Sequence, residues 1–205
     1  MPPDFLASLA SGIETELGLP TGFLTALRED DDWSFVIKMH AFLDAALAHR
    51  LAMTLERPEL EEVFARLSLS GGRTSKVAFA RALGLLSERS HTGYLEGLAQ
   101  LRNTAAHDVR QVNFTIPGFV SSLTPKKRGP FLRSITLIPQ DVTEIEGVDL
   151  AEALAGAEQD PKDAIWSAGL FLAGQIYLQK AFFPMLIIWI LFASLAGGKV
   201  EDPTT

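Results

Sequence analysis

The feature that most constrains the fold is a long, uninterrupted amphipathic segment at residues 33–55. It contains no glycine or proline, and its apolar side chains recur at the three- and four-residue spacing of one helix face. These positions are Phe35, Met39, Phe42, Leu43, Ala46, Leu47, Leu51 and Leu55. The pattern predicts one long helix that ends before Pro58, and such a helix must bury its apolar face against other elements.

Shorter helical patterns on both sides of this segment predict the elements that pack against it. They occupy residues 4–18, 20–30, 59–67, 74–86, 93–106 and 161–180, and short polar connections join most of them. The acidic run at residues 29–32 suits the N-terminus of the long helix, because carboxylates there cap free N–H groups. We therefore predict an all-α helical bundle that forms one domain over residues 1–180.

Residues 109–160 depart from the helical pattern and are predicted to be an insertion in the bundle. The runs at residues 112–116 and 135–138 have the alternation or the β-branched content of strands, so a small hairpin is expected. Between them, residues 124–130 predict a turn-rich basic loop that presents Lys126, Lys127 and Arg128. Gly147–Gly156 is expected to hold a short helical turn.

An uncharged apolar segment, residues 181–198, lies between Lys180 and Lys199. Its length approaches the roughly 20 residues needed to span the hydrocarbon core of a membrane. Unbroken apolarity at residues 185–192 favours a C-terminal membrane anchor, whereas Pro184 and the marginal length favour a buried terminal helix. With the anchor, which we favour, a cytoplasmic domain would be held at the inner face of the membrane, and residues 199–205 would form a tail.

The composition of the chain and the spacing of its polar residues exclude several kinds of site. The chain has no cysteine, so disulfides, zinc–thiolate sites and cysteine nucleophiles are ruled out. A formal net charge of −7 argues against electrostatic binding of nucleic acid over a broad surface, although it permits a local basic site. His40 and His49 lie on the predicted long helix without a second ligand at metal spacing, and no phosphate-binding loop is present. No metal and no cofactor are therefore expected.

A polar cluster, Arg102, Asn103 and His107, interrupts an otherwise apolar helical context. A helical wheel places Arg102 in the middle of an apolar stripe, with Asn103 and His107 one turn apart on its flank. The stripe comprises Tyr94, Leu95, Leu98, Leu101, Ala105 and Ala106. Because a guanidinium stays charged, an inward-facing Arg102 requires an anion or strong acceptors.

These residue types suit metal-independent cleavage of a phosphodiester. The planar fork of Arg102 fits a phosphate, and an imidazole such as that of His107 titrates near neutrality and can deprotonate a ribose 2′-OH. Asn103 can orient the imidazole or bind the phosphate. The alternative interpretation is structural: Arg102 and His107 would cap neighbouring carbonyls or pair with acids of another helix.

The motif Arg-x4-His, with Asn after the Arg and Ala before the His, resembles the signature of the HEPN (higher eukaryotes and prokaryotes nucleotide-binding) superfamily. With the helices predicted at residues 33–55 and 74–86, it is similar to the mannitol-repressor-like and DUF4145-like branches. The resemblance covers roughly residues 33–108 plus the closing helix at 161–180. It implies a helical bundle that forms a homodimer, with two motifs facing one shared cleft.

The resemblance also implies a function for the motif. Many members are metal-independent endoribonucleases that act as toxins or defence effectors, so Arg102 and His107 would be the catalytic pair and Asn103 an accessory residue. The inserted Lys126, Lys127 and Arg128 would then line the RNA cleft or cover it. The alternative is a non-catalytic HEPN regulator, similar to the mannitol repressor, that acts by protein–protein contact. An antitoxin or regulatory protein would be a partner in either case.

The spacing within the motif adds an expectation about assembly. Positions 102 and 107 lie about 140° apart on one regular helix, so they do not share a face. The helix must either unwind at His107 or receive the second half of the site from another copy of the chain. We take the dimeric endoribonuclease as the working hypothesis.

Overall fold

The computed structural model describes residues 4–86, 89–107, 114–145 and 148–178. Within these ranges the chain forms ten α-helices and one short 3-10 helix, Pro58–Leu60. The α-helices are α1 (Asp4–Leu17), α2 (Phe23–Glu29), α3 (Asp32–Thr54), α4 (Glu61–Ala65), α5 (Lys76–Ala82), α6 (Arg89–His107), α7 (Ile116–Ser122), α8 (Pro125–Ile135), α9 (Leu150–Gln159) and α10 (Pro161–Leu178). The all-α prediction is confirmed.

Helix α3 is the centre of the bundle, as its sequence pattern predicts. It begins after Asp31, whose side chain accepts a hydrogen bond from the Ser34 N–H at 3.0 Å. Helices α2, α4, α5, α6 and α10 pack around it. Every predicted core position of α3 is buried except Leu55, which follows the last helical residue and is 39% exposed.

Helices α6 and α10 close the core on two sides of α3. The Tyr94 hydroxyl on α6 donates to the Ile165 carbonyl at 2.7 Å, which ties α6 to α10. The Trp166 indole N–H donates to the Leu24 carbonyl, also at 2.7 Å, which ties α10 to α2. Because both side chains are buried, these bonds satisfy polar groups that would otherwise be costly in the core.

The predicted β-like insertion is wrong. Residues 112–113 lie outside the described residues, and Ile116 begins a helix, α7, instead of ending a strand. The Thr115 hydroxyl caps α7 by accepting from the Gly118 N–H at 3.1 Å. Among the described residues, the only β-type pairing is an isolated bridge between Ile145 and Val148.

The predicted basic loop and second strand form another helix, α8. Pro125 occupies its first turn, where a missing N–H costs nothing, so the proline starts a helix instead of marking a turn. The run at residues 135–138 contains the end of α8 and the turn that follows. The short helical turn expected at Gly147–Gly156 is present as the longer helix α9.

The C-terminal prediction concerns residues that the structure does not describe. Residues 181–198 and the tail at 199–205 lie outside the described ranges. In the part of the chain that is described, none of the helices has the length and apolarity needed to cross a bilayer. The membrane anchor therefore stays a prediction.

Candidate functional site

The polar motif lies in the last turns of α6, which is held against the start of α3. The Trp33 indole N–H donates to the Ala105 carbonyl at 3.0 Å and so fixes the end of α6. The stripe positions Tyr94, Leu95, Leu98, Leu101 and Ala105 are buried, whereas Ala106 is exposed. Arg102 is half-buried at the edge of this stripe, and Asn103 is exposed. The guanidinium therefore lies at the boundary between core and solvent.

Arg102 and Asn103 line an open cavity of about 330 Å³. Helix α3 contributes His40 and Asp44 to this cavity, and the loop after α4 contributes residues 67–70. Arg102 Nη1 donates to Asn103 Oδ1 at 3.2 Å. Among the side chains that the structure describes, no carboxylate lies within 4.0 Å of the Arg102 guanidinium. The cavity therefore contains a guanidinium that forms no ion pair with any described acidic side chain.

The wall of this cavity is held by a buried lysine, Lys76. Its side chain is fully buried, and its Nζ donates to Asp44 Oδ1 at 2.5 Å and to the Leu67 carbonyl at 2.9 Å. The backbone N–H groups of Lys76 and Val77 donate to the carbonyls of Ser68 and Leu69 at 3.0 and 3.1 Å. One ammonium group and two backbone bonds thus connect α3, α5 and the loop that borders the cavity.

The charges around the cavity also act on His40. Burial is the largest effect and lowers the pKa of His40 below the usual imidazole value, and the nearby Arg102 and Lys76 lower it further. The Asp44 carboxylate opposes this shift. The net direction of the pKa is downward, which favours the neutral imidazole, the form in which one ring nitrogen can accept a proton.

A second and larger cavity, of about 750 Å³, forms a groove between α6 and α8. Lys126 and Lys127 line it from the first turn of α8, together with Arg81 and Arg89. Glu96 is the one carboxylate among its described lining residues, so the groove carries a local positive charge in an acidic protein. Gln100 also lines the groove and lies one helical turn before Asn103, so the groove follows α6 toward the Arg102 cavity.

Arg128 and His107 are placed differently from the other predicted site residues. Arg128 is half-buried, and it donates to Glu158 at 3.1 Å and to the carbonyls of Ser121 and Leu123 at 3.0 and 3.2 Å. Its guanidinium therefore connects α8 to α9 and is absent from the groove lining. His107 is the last residue of α6, and its side chain lies outside what the structure describes.

Sequence reasoning missed two cavity residues, His40 and Asp44, and the buried Lys76 that bonds to Asp44 behind the cavity. A signal was present, because His40 and Asp44 are four residues apart and so share one face of the long helix. What the sequence could not show is which other helix faces that pair. In the described part of the chain, no group of three His, Asp or Glu side chains is placed to hold a metal ion.

Comparisons with known proteins add no relative to this picture. No family model, no curated protein and no solved structure matches the chain. The resemblance to the HEPN superfamily therefore stays a prediction that depends on the motif residues themselves.

Proposed function

We propose that the chain is a metal-independent endoribonuclease of the HEPN type, with the Arg102 cavity as its active site. The observation that carries this proposal is the open cavity in which no described carboxylate pairs the Arg102 guanidinium. A half-buried guanidinium that no described acid pairs is suited to bind a phosphate through its planar fork. A toxin or defence effector, controlled by an antitoxin protein, is the biological role that this activity would fit.

The chemistry is an internal transfer at phosphorus. A histidine removes the proton of a ribose 2′-OH, the 2′-oxygen forms a bond to phosphorus, and the bond from phosphorus to the 5′-oxygen breaks. The products carry a 2′,3′-cyclic phosphate and a free 5′-OH. Arg102 stabilises the charge that develops on the phosphate oxygens, and Asn103 holds the guanidinium in place.

The experiment that tests this proposal is an RNA cleavage assay with EDTA present. We expect the purified full-length protein to cleave RNA under these conditions and the His107→Ala variant to be inactive. His49→Ala is the matched control, because His49 is bonded to Glu61 at 2.9 Å and lines a different cavity. Cleavage that EDTA abolishes, or that survives His107→Ala, would contradict the proposal.

The groove between α6 and α8 supports RNA as the substrate. We expect the double variant Lys126→Ala/Lys127→Ala to weaken RNA binding without changing the rate at saturating RNA. Removing two phosphate contacts should also lower the slope of log affinity against log salt by about 1.4, since each contact with single-stranded nucleic acid contributes roughly 0.7. Filter binding over a salt series measures both effects.

The control for this prediction is Lys38→Ala. Lys38 is exposed like the groove lysines, but it pairs with Asp30 at 2.8 Å and lines a different cavity. An equal loss of affinity in Lys38→Ala would show that overall charge, and not the groove, controls RNA binding.

We also propose that two copies of the chain complete the active site. Helix α6 continues to His107, so positions 102 and 107 lie about 140° apart on one regular helix. Mixing inactive Arg102→Ala with inactive His107→Ala should therefore restore part of the activity, because a mixed dimer contains one site with both residues intact. A mixture that forms mixed dimers and stays inactive would contradict a shared site.

A second candidate function, a non-catalytic regulator, is favoured by exposed apolar side chains on α4, on α5 and directly after α5. Val63, Phe79 and Leu83 are 54%, 39% and 37% exposed, and Phe79 contacts Phe64 edge-on with ring centroids 5.6 Å apart. Exposed side chains of this kind suit protein–protein contact. A partner protein that remains bound to Arg102→Ala and His107→Ala, without any RNA cleavage, would favour this function.

For residues 181–198 we propose a membrane anchor, supported by 18 uncharged residues between two lysines. The full-length protein is expected to sediment with membranes, and a variant that ends at Lys180 is expected to stay in the supernatant. Sedimentation that does not depend on the segment would contradict the anchor.

A further inference from the structure

The cavity that contains Arg102 also contains an imidazole from the same chain. His40 lies on α3 one turn before Asp44, and both side chains line the cavity with Arg102 and Asn103. The His40 ring forms no hydrogen bond with any of the residues that the structure describes, although it is half-buried. One chain therefore brings a cation, an amide and an imidazole to one opening.

The surroundings of His40 suit a group that accepts a proton. Three charged groups face the ring: Asp44 on its own helix, Lys76 on α5 and Arg102 on α6. Since Lys76 bonds to Asp44 at 2.5 Å, the Asp44 carboxylate is partly neutralised and is fixed in place. Partial burial, the largest effect, and the two cations lower the pKa of the His40 imidazole against the opposing Asp44 carboxylate, which favours the unprotonated ring.

We infer that His40 is the proton acceptor of the Arg102 site, a catalytic residue in addition to the motif. This inference rests on the proposed endoribonuclease function. The unprotonated ring nitrogen of His40 takes the proton of the ribose 2′-OH as the 2′-oxygen bonds to phosphorus. The bond to the 5′-oxygen breaks, and that oxygen takes a proton from His107. Protons and electron pairs balance without a metal, an oxidant or a cofactor.

The division of roles between two histidines makes the spacing of the motif understandable. His107 is not required to reach the 2′-OH from a position about 140° away from Arg102 on the same helix. It serves instead as the acid on the leaving-group side. A second copy of the chain can supply this His107. A base and an acid on opposite sides of the phosphate are what an in-line displacement requires.

The test is the steady-state kinetics of His40→Ala in the full-length protein, with EDTA present. We expect kcat to fall by roughly 10²–10³-fold with little change in KM, since a positioned acid–base group contributes a factor of this size. Free imidazole should restore part of the rate, because it can occupy the space of the missing ring. His49→Ala, on the same helix, should keep the wild-type rate and show no effect of imidazole.

The pH profile gives a readout that a purely structural role would not change. The acidic limb of kcat/KM in the wild type should lie below the ordinary imidazole pKa of about 6.5, because a base acts only when unprotonated. Activity is then present at pH values above the lowered pKa of His40 and is lost as the pH falls through that pKa. His40→Gln, which keeps a polar side chain at the position, should lose this limb together with the rate.

The outcomes separate the inference from the proposed function. If the wild type cleaves RNA and His40→Ala cleaves equally well, the inference is overturned and the proposed function stands. If the wild type does not cleave RNA at all, both are overturned. A slow variant that imidazole does not restore, and whose melting temperature has dropped, identifies His40 as structural and overturns the inference.

A measurement on the wild type covers the case in which both variants fail to fold. Uridine 3′-monophosphate, a product analogue, should shift the NMR signals of the His40 ring and leave those of the His49 ring in place. An unshifted His40 signal at saturating nucleotide overturns the inference.

Discussion

Arg102→Ala should reduce RNA cleavage by roughly 10²–10³-fold, the loss expected when one group that stabilises transition-state charge is removed. The guanidinium lines the cavity and pairs with no described carboxylate, and the proposed function assigns its charge to the phosphate. Arg102→Lys should recover only part of the rate, since an ammonium lacks the planar two-point fork. Initial rates on a fluorescent RNA measure both variants.

The control for Arg102 is Arg57→Ala, an exposed arginine whose nearest described acid is Glu59 at 3.6 Å. This variant should cleave at the wild-type rate. Both proteins should melt close to the wild type, because neither guanidinium is buried in the core. An Arg102→Ala protein that cleaves normally but has lost about 1–3 kcal/mol of stability would show that Arg102 is structural.

The second large effect concerns stability and the buried pair of Lys76 and Asp44. Lys76→Met should lower the free energy of unfolding by about 3 kcal/mol, the lower end of the cost of breaking a buried ion pair. Methionine keeps most of the aliphatic stem, so the loss reports mainly on the ammonium and its bonds to Asp44 and the Leu67 carbonyl. We expect the lower end of this energy range because the Asp44 side chain is 27% exposed and can be hydrated once the ammonium group is removed.

Denaturant unfolding measures this effect, with Lys38→Met as the matched control. The Lys38–Asp30 pair has a similar length of 2.8 Å, but Lys38 is 49% exposed, and such surface pairs contribute at most about 1 kcal/mol. For Lys76→Met, the denaturant concentration at the unfolding midpoint should fall, and the dependence of the free energy of unfolding on denaturant concentration should stay unchanged. Equal and small losses in the two variants would contradict a structural role for the buried lysine.

Loss of Lys76 should also affect the candidate site. The same ammonium group bonds to Asp44 and to the loop at residues 67–70, and both border the Arg102 cavity. The wall of the cavity therefore depends on Lys76, which the sequence alone does not distinguish from other helical lysines.

The sequence predicted the bundle where the helical pattern was long and unambiguous. Helix α3 was predicted to within two residues at each end, because its apolar positions repeat over many turns without a helix breaker. The apolar stripe of α6 was also correct from Tyr94 to Ala105. Long amphipathic segments specify their own structure, since only a helix buries all those side chains at once.

Short segments were predicted poorly, because their few residues fit more than one structure. Residues 112–116 alternate like a strand, yet the Thr115 cap and the start of α7 at Ile116 decide the outcome. Pro125 suits a turn, but its fixed backbone angle equally suits the first turn of α8, where the structure places it. Local pattern alone could not separate these alternatives.

At the candidate site, the sequence points to residues of one helix but not to the residues that face it. It points to Arg102 and Asn103 because a cation in an apolar stripe requires an explanation. The partner residues, His40 and Lys76, became visible only when α3, α5 and α6 were packed together. On α5 the charged Lys76 is buried, whereas the apolar Leu83 that follows the helix is exposed.

The central claim is that this chain cleaves RNA by attack of the 2′-oxygen, and the ends of the product test it most directly. Mass spectrometry of a defined RNA, incubated with the full-length protein in EDTA, should show a 2′,3′-cyclic phosphate on the upstream fragment and a 5′-OH on the downstream one. Arg102→Ala should not produce these ends. Intact RNA, or fragments with a 5′-phosphate and a 3′-OH, would contradict the claim.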